Sequence, residues 1–296
     1  MDSIQDKRIA ISGSSRGLGA AFAKALAGAG AGVVINGTNP EPLAATEASI
    51  REAGGAVQSV IGSIAERSTC DALINTCVET YGGIDVLINN AGIVRDRTLF
   101  KMSDEDFDEV IAVHLRGSFM ASRQAALAMR ECGGGHIIHV ISASGLSGGF
   151  GQGNYAAAKA GMMGMLRTWN LELGRSNIRC NAFWPVADTD MTQVVFERAG
   201  QAAANKNRPA PAPSELGFGH PDEVAVGMQW LVSDQAGHLN GQCLSFNGRK
   251  IAIWTHPKEV EVGFRDTPYS FDELTAHFDG LALQPINQPA MVKPRD

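Results

Sequence analysis

Residues 8–27 read RIAISGSSRGLGAAFAKALA. A short apolar run ends in a glycine-rich turn, and the turn opens into small and apolar residues at helical spacing. The glycines are Gly13, Gly17 and Gly19, in the pattern G-x-x-x-G-x-G. Strand, glycine turn and helix in that order are the context of a dinucleotide site. Glycines let the backbone turn sharply and approach a pyrophosphate, and a helix N-terminus offers free N–H groups and partial positive charge. An ordinary tight turn would use the same residues, but the first strand–helix junction is where a phosphate cradle belongs.

Outward from this turn the same rhythm repeats. Short β-like runs fall at 8–11, 33–36, 56–61, 85–89, 136–141, 178–183 and 242–246, and helical patterns lie between them at 18–29, 41–53, 67–81, 104–131, 154–174 and 221–233. Pro40, Pro42, Ser103 ahead of Asp106, and Pro221 mark helix starts. Strands alternating with helices imply parallel pairing through right-handed crossovers, and runs apolar on both faces imply a sheet covered on both sides. The expected fold is α/β, a single doubly wound Rossmann-type domain with a seven-stranded parallel sheet over residues 1–253. Residues 191–220 pass from a helical start into the proline-rich NKNRPAPAPSELG and read as a loop. Residues 254–296 read as a C-terminal extension packed on the core or on a neighbouring subunit, with a short helix near 271–278.

The bulk numbers exclude several classes. A net charge of −6 and no Lys/Arg-rich run argue against nucleic acid, because phosphate contacts need clustered cations. Five scattered cysteines without a C-x-x-C pair argue against a disulfide framework or zinc site. No basic-then-apolar leader and no membrane-length apolar run are present, so a cytoplasmic location and no membrane partner are expected.

Cofactor identity turns on the end of the second strand. A site that prefers NAD usually places Asp or Glu there to bind ribose hydroxyls. Here the sequence is Asn36-Gly37-Thr38-Asn39, without a carboxylate, and Arg16 in the glycine turn could meet a 2′-phosphate. NADP(H) is therefore favoured over NAD(H). Gly13, Ser15, Arg16, Gly17, Leu18 and Gly19, with Thr38, form the expected cofactor contacts.

The densest chemical signal is ISASGLSGGFGQGNYAAAKAG, residues 141–161. Tyr155 and Lys159 are four apart, on one helical face. A phenol near pKa 10 is a weak base at neutral pH, and a neighbouring ammonium is expected to lower that value. Tyr155 would then move a proton to or from a substrate oxygen. Ser142, at a strand end, could hold the same oxygen. A surface Tyr–Lys pair would not explain the serine and the nucleotide turn in the same chain order.

These motifs resemble the short-chain dehydrogenase/reductase family over about residues 7–250. Four match in order: the Gly13/Gly17/Gly19 turn, Asn89-Asn90-Ala91-Gly92, Ser142, and Tyr155 with Lys159. The nearest likeness is to 3-hydroxyacyl-CoA dehydrogenase units of multifunctional β-oxidation enzymes and to 3-oxoacyl-carrier-protein reductases. It is carried by NNAGIVRDRTLFKMSDEDFD, VHLRGSF, and GNYAAAKAG through SNIRCNAFWP. The resemblance implies that Lys159 and Tyr155 also touch the nicotinamide ribose. It implies that Asn90, Ala91 and Gly92 line the adenine ribose side, and that Pro185 and Thr189 meet the nicotinamide end. Three positions depart from the pattern. His114 stands where the family has a catalytic asparagine, Ser63 where an aspartate often binds adenine, and Val186 where a glycine follows Pro185.

The expected activity is NAD(P)-dependent interconversion of a secondary alcohol and a ketone by hydride transfer. Ser142, Tyr155, Lys159 and His114 are the catalytic candidates, with His114 linking the relay to solvent. Ser144, Leu146, Phe150, Val186, Met191 and Val195 are candidate pocket residues, and Phe183, Trp184 and Phe196 add apolar character nearby. The small-molecule substrate could be a 3-hydroxyacyl or 3-oxoacyl thioester, or a cyclic, steroid-like or terpenoid alcohol. A non-enzymatic dinucleotide-binding scaffold or sensor is the alternative of another class. A homotetramer or homodimer is expected, and Met162, Met163, Met165, Leu166 and Trp169 could serve as core or interface. No metal is implied.

Overall fold

The computed structural model describes residues 4–257 and 268–279. Eight strands form one sheet: β1 (Arg8–Ile11), β2 (Gly32–Gly37), β3 (Ala56–Ile61), β4 (Val86–Asn89), β5 (Gly135–Val140), β6 (Ile178–Pro185), β7 (Cys243–Phe246) and β8 (Ile251–Ile253). Their spatial order is β3-β2-β1-β4-β5-β6-β7-β8. The first seven pair in parallel, as the alternating pattern requires. The eighth corrects the expected count of seven. It pairs antiparallel with β7, Leu244 opposite Ile253. The residues between the two strands form a tight turn in which Asn247 Oδ1 accepts from the N–H groups of Arg249 and Lys250. A three-residue edge strand has too few residues to show a period.

Ten helices accompany the sheet among the described residues: α1 (Gly17–Gly28), α2 (Pro40–Glu52), α3 (Arg67–Tyr81), α4 (Asp104–Ile111), α5 (Gly117–Glu131), α6 (Ser144–Ser147), α7 (Gly153–Glu172), α8 (Gln193–Ala204), α9 (Pro221–Val232) and α10 (Phe271–Asp279). Alternation along the strands divides the core in two. Ile9, Ile11, Val33, Ile35, Val86 and Ile88 meet Phe22 and Leu26 of α1 and Val224 and Met228 of α9. Ala10, Val34, Leu87 and Ile137 face the other way, onto Leu73 of α3, Ala121 of α5 and Leu166 of α7. Met162, Met163 and Leu166 are buried there, which makes them core. Truncating a buried leucine such as Leu73 to alanine costs about 2–5 kcal/mol in such a setting.

Several helix signals work as expected. Ser103 Oγ accepts from Asp106 N at 3.1 Å, and Pro221 stands in the first turn of α9. Two expectations need correction. The stretch read as one helix over 104–131 is interrupted by a π-helical turn, Ala112–Arg116. The segment 191–220 read as a loop contains α8, four of whose first seven residues are apolar or aromatic (Val194, Val195, Phe196 and Ala199). Prolines begin only at Pro209, so they end the helical stretch without preventing it.

α10 confirms the short helix of the extension. The extension's first residues also meet the core. The Trp254 ring lies 5.0 Å from Trp184, and its Nε1 donates to Ser245 Oγ at 3.1 Å. Residues 258–267 and 280–296 lie outside the described residues. No helix among the described residues is long and apolar enough to cross a membrane.

Candidate active site

The order of strands reverses between β1 and β4, because β1 leads outward to β2 while β4 lies on its other side. In open α/β sheets such a switch point leaves a crevice beyond the carboxyl ends of the strands. The glycine turn follows β1, Asn90-Ala91-Gly92 follows β4, Ser142 follows β5, and Pro185-Val186 closes β6. The sequence motifs therefore converge on one rim.

The turn is held by a polar brace. Asn90 Nδ2 donates to the carbonyls of Ser12 (3.1 Å) and Gly13 (2.6 Å). Ser12 Oγ accepts from the backbone N–H groups of Asn90 (3.0 Å) and Ala91 (3.1 Å). Asn36 Oδ1 accepts from Gly13 N at 3.3 Å. Gly13 has φ +63°, and a Cβ there would run into the backbone of Ala91. A Cβ on Gly19 would lie 2.8 Å from Ser14 Cα and 2.6 Å from Asn90 Nδ2. Residue 16, at the N-cap of α1, makes no side-chain cap. The first N–H groups of a helix have no partner within it, so those of α1 remain for a ligand. This cradle fits a dinucleotide diphosphate. Thr189 lies against it, its Cγ2 3.8 Å from where a Gly17 Cβ would be.

The adenine side is more open. Thr38 is exposed beyond β2. Ser63, after β3, accepts from Ala65 N at 3.3 Å. Asn36 points inward, its Nδ2 donating to the carbonyls of Val60 and Gly62, so it braces the strands. Arg16 is exposed and pairs with Asp190 at 3.3 Å. Beside it a groove of about 390 Å³, between the turn, α2 and the start of α9, is lined by Arg16, Lys24, Ser15 and Thr46.

Across the crevice stand the reactive side chains. Lys159 Nζ donates to the carbonyl of Val140 at 2.6 Å and lies 5.6 Å from the Tyr155 ring centre. The Tyr155 and His114 rings meet edge to face, with centroids 5.0 Å apart. Burial dominates their ionisation. It pushes the Tyr155 phenol up to about 12, against a hydrogen bond from Ser142 that favours the phenolate, while the Asp96 carboxylate adds to the rise. Burial pushes the Lys159 ammonium down to about 7. This corrects the expectation of a phenol lowered by a charged lysine. In the protein alone the amine gives up much of its own charge at neutral pH, because it sits in a dry site facing only a carbonyl.

His114 stands on the π-helical turn, a feature frequent at functional sites. Two glycines make room for this turn. A Cβ on Gly92 would meet the imidazole ring, and a Cβ on Gly161 of α7 would lie 2.8 Å from Leu115. Ile93 N donates to His114 Nε2 at 2.9 Å, and the Ile93 carbonyl lies 2.7 Å from the same nitrogen, so the tautomer decides which bond forms. Nδ1 is buried with no hydrogen-bond partner. Burial and the nearby Lys159 push this histidine down to about 3, so it is neutral.

Asn154, which the sequence reading passed over, fixes the start of α7. Its Nδ2 donates to the carbonyls of Arg95 (3.1 Å) and Asp106 (3.0 Å), and its Oδ1 accepts from Tyr155 N at 2.8 Å. Ser12, Asn36, Asp96 and Gln152 were passed over too. Their partners are remote in sequence or follow no period, so only the fold reveals them.

The expected pocket residues divide. Ser144, Val186 and Val195 are half-buried, and Phe150 and Met191 are exposed at the rim. Val186 is held by both backbone groups, its N–H to Phe246 and its carbonyl from Gly219. Leu146 packs against the core. Phe183 is buried against Phe22, and Phe196 packs on Phe218.

Known proteins resemble this chain in sequence and fold. The short chain dehydrogenase family matches residues 7–200. Hydroxyacyl-CoA dehydrogenase ChsB1 of Mycobacterium tuberculosis is 37% identical over 289 residues, covering 92% of this chain and 87% of that protein. The 3-oxoacyl-[acyl-carrier-protein] reductase FabG of Thermotoga maritima is 36% identical over 247 residues, covering 83% of this chain and 98% of that one. The crystal structure of a short chain dehydrogenase from Mycobacterium avium matches with a TM-score of 0.77 and 32% identity, over 96% of this chain and 98% of that one. The family match spans the glycine turn, Ser142, Tyr155 and Lys159 together, and the chain belongs to the short-chain dehydrogenase/reductase family of NAD(P)-dependent oxidoreductases.

Proposed function

We propose that this oxidoreductase interconverts a 3-hydroxyacyl and a 3-oxoacyl thioester, with Tyr155 as general acid/base and NADP(H) as the preferred dinucleotide. The observation that carries the chemistry is the grouping of Ser142, Tyr155 and Lys159 beside the glycine cradle. A bound nicotinamide supplies hydride exchange. The chain supplies the proton. In reduction the Tyr155 hydroxyl gives its proton to the substrate oxygen while the Ser142 hydroxyl donates a hydrogen bond to that oxygen. A lysine near pKa 7 is matched to return a proton to the phenolate at neutral pH. Neutral His114, with Nδ1 unpartnered, continues the relay towards solvent.

The thioester assignment draws on the names of the two curated relatives. It also draws on the rim, where Leu99, Phe100 and Phe150 stand almost fully exposed, as an acyl-binding mouth would present them. A cyclic, steroid-like or terpenoid alcohol is the second reading, favoured by the same apolar rim. Arg16, Lys24 and the absence of a carboxylate after β2 support the 2′-phosphate. We further assign residues 1–253 to the catalytic domain and 254–296 to an extension, within a homo-oligomer. The test is nicotinamide absorbance with NADPH and NADH against S-acetoacetyl-N-acetylcysteamine, decalone and a steroid ketone. Fastest turnover of the thioester with NADPH is expected; turnover confined to the cyclic ketones contradicts the thioester reading.

A further inference from the structure

A second chain of hydrogen bonds leads to Ser142 from Asp96 and Gln152, two residues to which the acid–base scheme gives no proton-transfer role. Gln152 Nε2 donates to Asp96 Oδ2 at 3.0 Å. That bond fixes the amide so that Oε1 faces Ser144, whose Oγ–H donates to it at 2.6 Å. Ser144 N in turn donates to Ser142 Oγ at 3.3 Å. A carboxylate accepts, so Asp96 sets the orientation of the Gln152 amide and with it the donation from Ser144 Oγ; the Ser144 backbone N–H can only donate.

The surroundings are shaped to this chain. Arg97 N donates to the Gly151 carbonyl at 2.8 Å and ties the two loops side by side. Gly149 leaves the space that the chain occupies, since a Cβ there would lie 2.5 Å from Gln152 Oε1 and 3.0 Å from Ser144 Oγ. Gly145 lets α6 lie flush on α7, where a Cβ would come within 2.5 Å of Lys159 Cβ. Asp96 Oδ1 is buried with no partner.

We infer that Asp96 and Gln152 are positioning residues, which act through Ser144 to fix the turn that carries Ser142 and to leave the Ser144 hydroxyl able only to accept from a substrate group. The Ser142 oxygen accepts from Ser144 N, which holds the hydroxyl in place; its hydrogen, shared with Tyr155 in the protein alone, can turn to a substrate oxygen. The Ser144 wall then favours a substrate bearing a donor, such as the amide N–H of a pantetheine-like arm. This inference rests on the proposed thioester reading.

The experiment replaces Gln152→Glu, which sets two carboxylates face to face, and pairs it with Asp96→Asn, which restores a donor and an acceptor in swapped order. With S-acetoacetyl-N-acetylcysteamine and NADPH, Q152E should lower kcat at least tenfold, with the NADPH dissociation constant unchanged. The double variant D96N/Q152E should recover kcat to within threefold. Amide hydrogen exchange over residues 143–148 should quicken in Q152E and slow again in the double variant, a readout that needs no substrate. Gln152→Ala is the arm that decides if Q152E does not fold, with a fivefold or greater loss of kcat expected. A Q152E or Q152A enzyme within twofold of wild type overturns the inference. So does a double variant whose thermal midpoint recovers while kcat does not. Tyr155→Phe runs alongside: if it keeps turnover, the acid–base reading fails; if it is dead while the Gln152 variants are fully active, only the positioning chain fails.

Discussion

At the end of β1 the crevice is bounded by backbone. Gly17 and Gly19 open the helix with unpartnered N–H groups, Gly13 leaves open space, and neutral amides, Asn90 and Asn36, hold the turn in place. Across the crevice, beyond β5, the wall is made of ionisable side chains. Lys159 is buried and Tyr155 half-buried, and each is shifted towards its neutral form by desolvation. The first wall depends on the absence of atoms, the second on the placement of protons. A substitution should therefore fail differently on each side.

The largest effect is expected on the proton wall. Lys159→Met should cut kcat by roughly 10²–10³-fold, the range of one general acid–base contribution. It should also change how stability depends on pH. The unfolded lysine binds its proton up to about 10.5, while the folded one loses it near 7. Between those values the unfolded state holds more protons, so stability rises with pH. Above about 10 the shift of Tyr155 acts in the opposite sense, because its unfolded form ionises first. Denaturation midpoints from pH 7 to 10 should climb in the wild type and climb less in the variant. An unchanged slope would remove the buried amine from the account.

On the backbone wall, Gly19→Ala places a Cβ against Ser14 Cα and Asn90 Nδ2. Such overpacking costs about 1–3 kcal/mol. Cofactor affinity should fall by about ten- to a hundredfold, the equivalent of that energy. Because the damage is steric, it should be independent of pH between 6 and 9. Fluorescence titration of NADPH at both ends of that range checks the point.

A smaller effect should come from the histidines within the sheet. His139 is pushed down to about 3 and His136 well below its usual value, both chiefly by burial. Their unfolded forms take up protons near 6.5, so stability is lost as the pH falls from there towards 3. His139→Gln should flatten part of that decline in a pH series of thermal midpoints. The smallest effect is at the open end of the backbone wall. Arg16→Ala removes an exposed cation, and the preference for NADPH over NADH should fall by about three- to tenfold, as one solvent-screened contact allows.

The same contrast explains what the sequence made legible. Glycines at a strand end and a helix start announce themselves by spacing, and so did seven strands, whose apolar runs, the edge strand β3 apart, are largely buried on both faces. The π-helical turn at 112–116 left no mark, because the apolar pattern continues through it. β8 was too short to carry a period. Tyr155, Lys159 and Ser142 could be chosen by type and interval, but their ionisation could not. Lys159 is near 7 because of the solvent it lacks, and a sequence does not display burial of a single amine. Asn154, Asp96 and Gln152 join segments brought together only by the loops after β4 and β5.

On the proposed reading Tyr155 transfers the proton while the opposite wall only holds the dinucleotide. Single-turnover hydride transfer, followed by nicotinamide absorbance in wild type and Tyr155→Phe, tests it most directly. The rate should be at least a thousandfold lower in the variant at an unchanged NADPH dissociation constant. A rate within tenfold of wild type would contradict it.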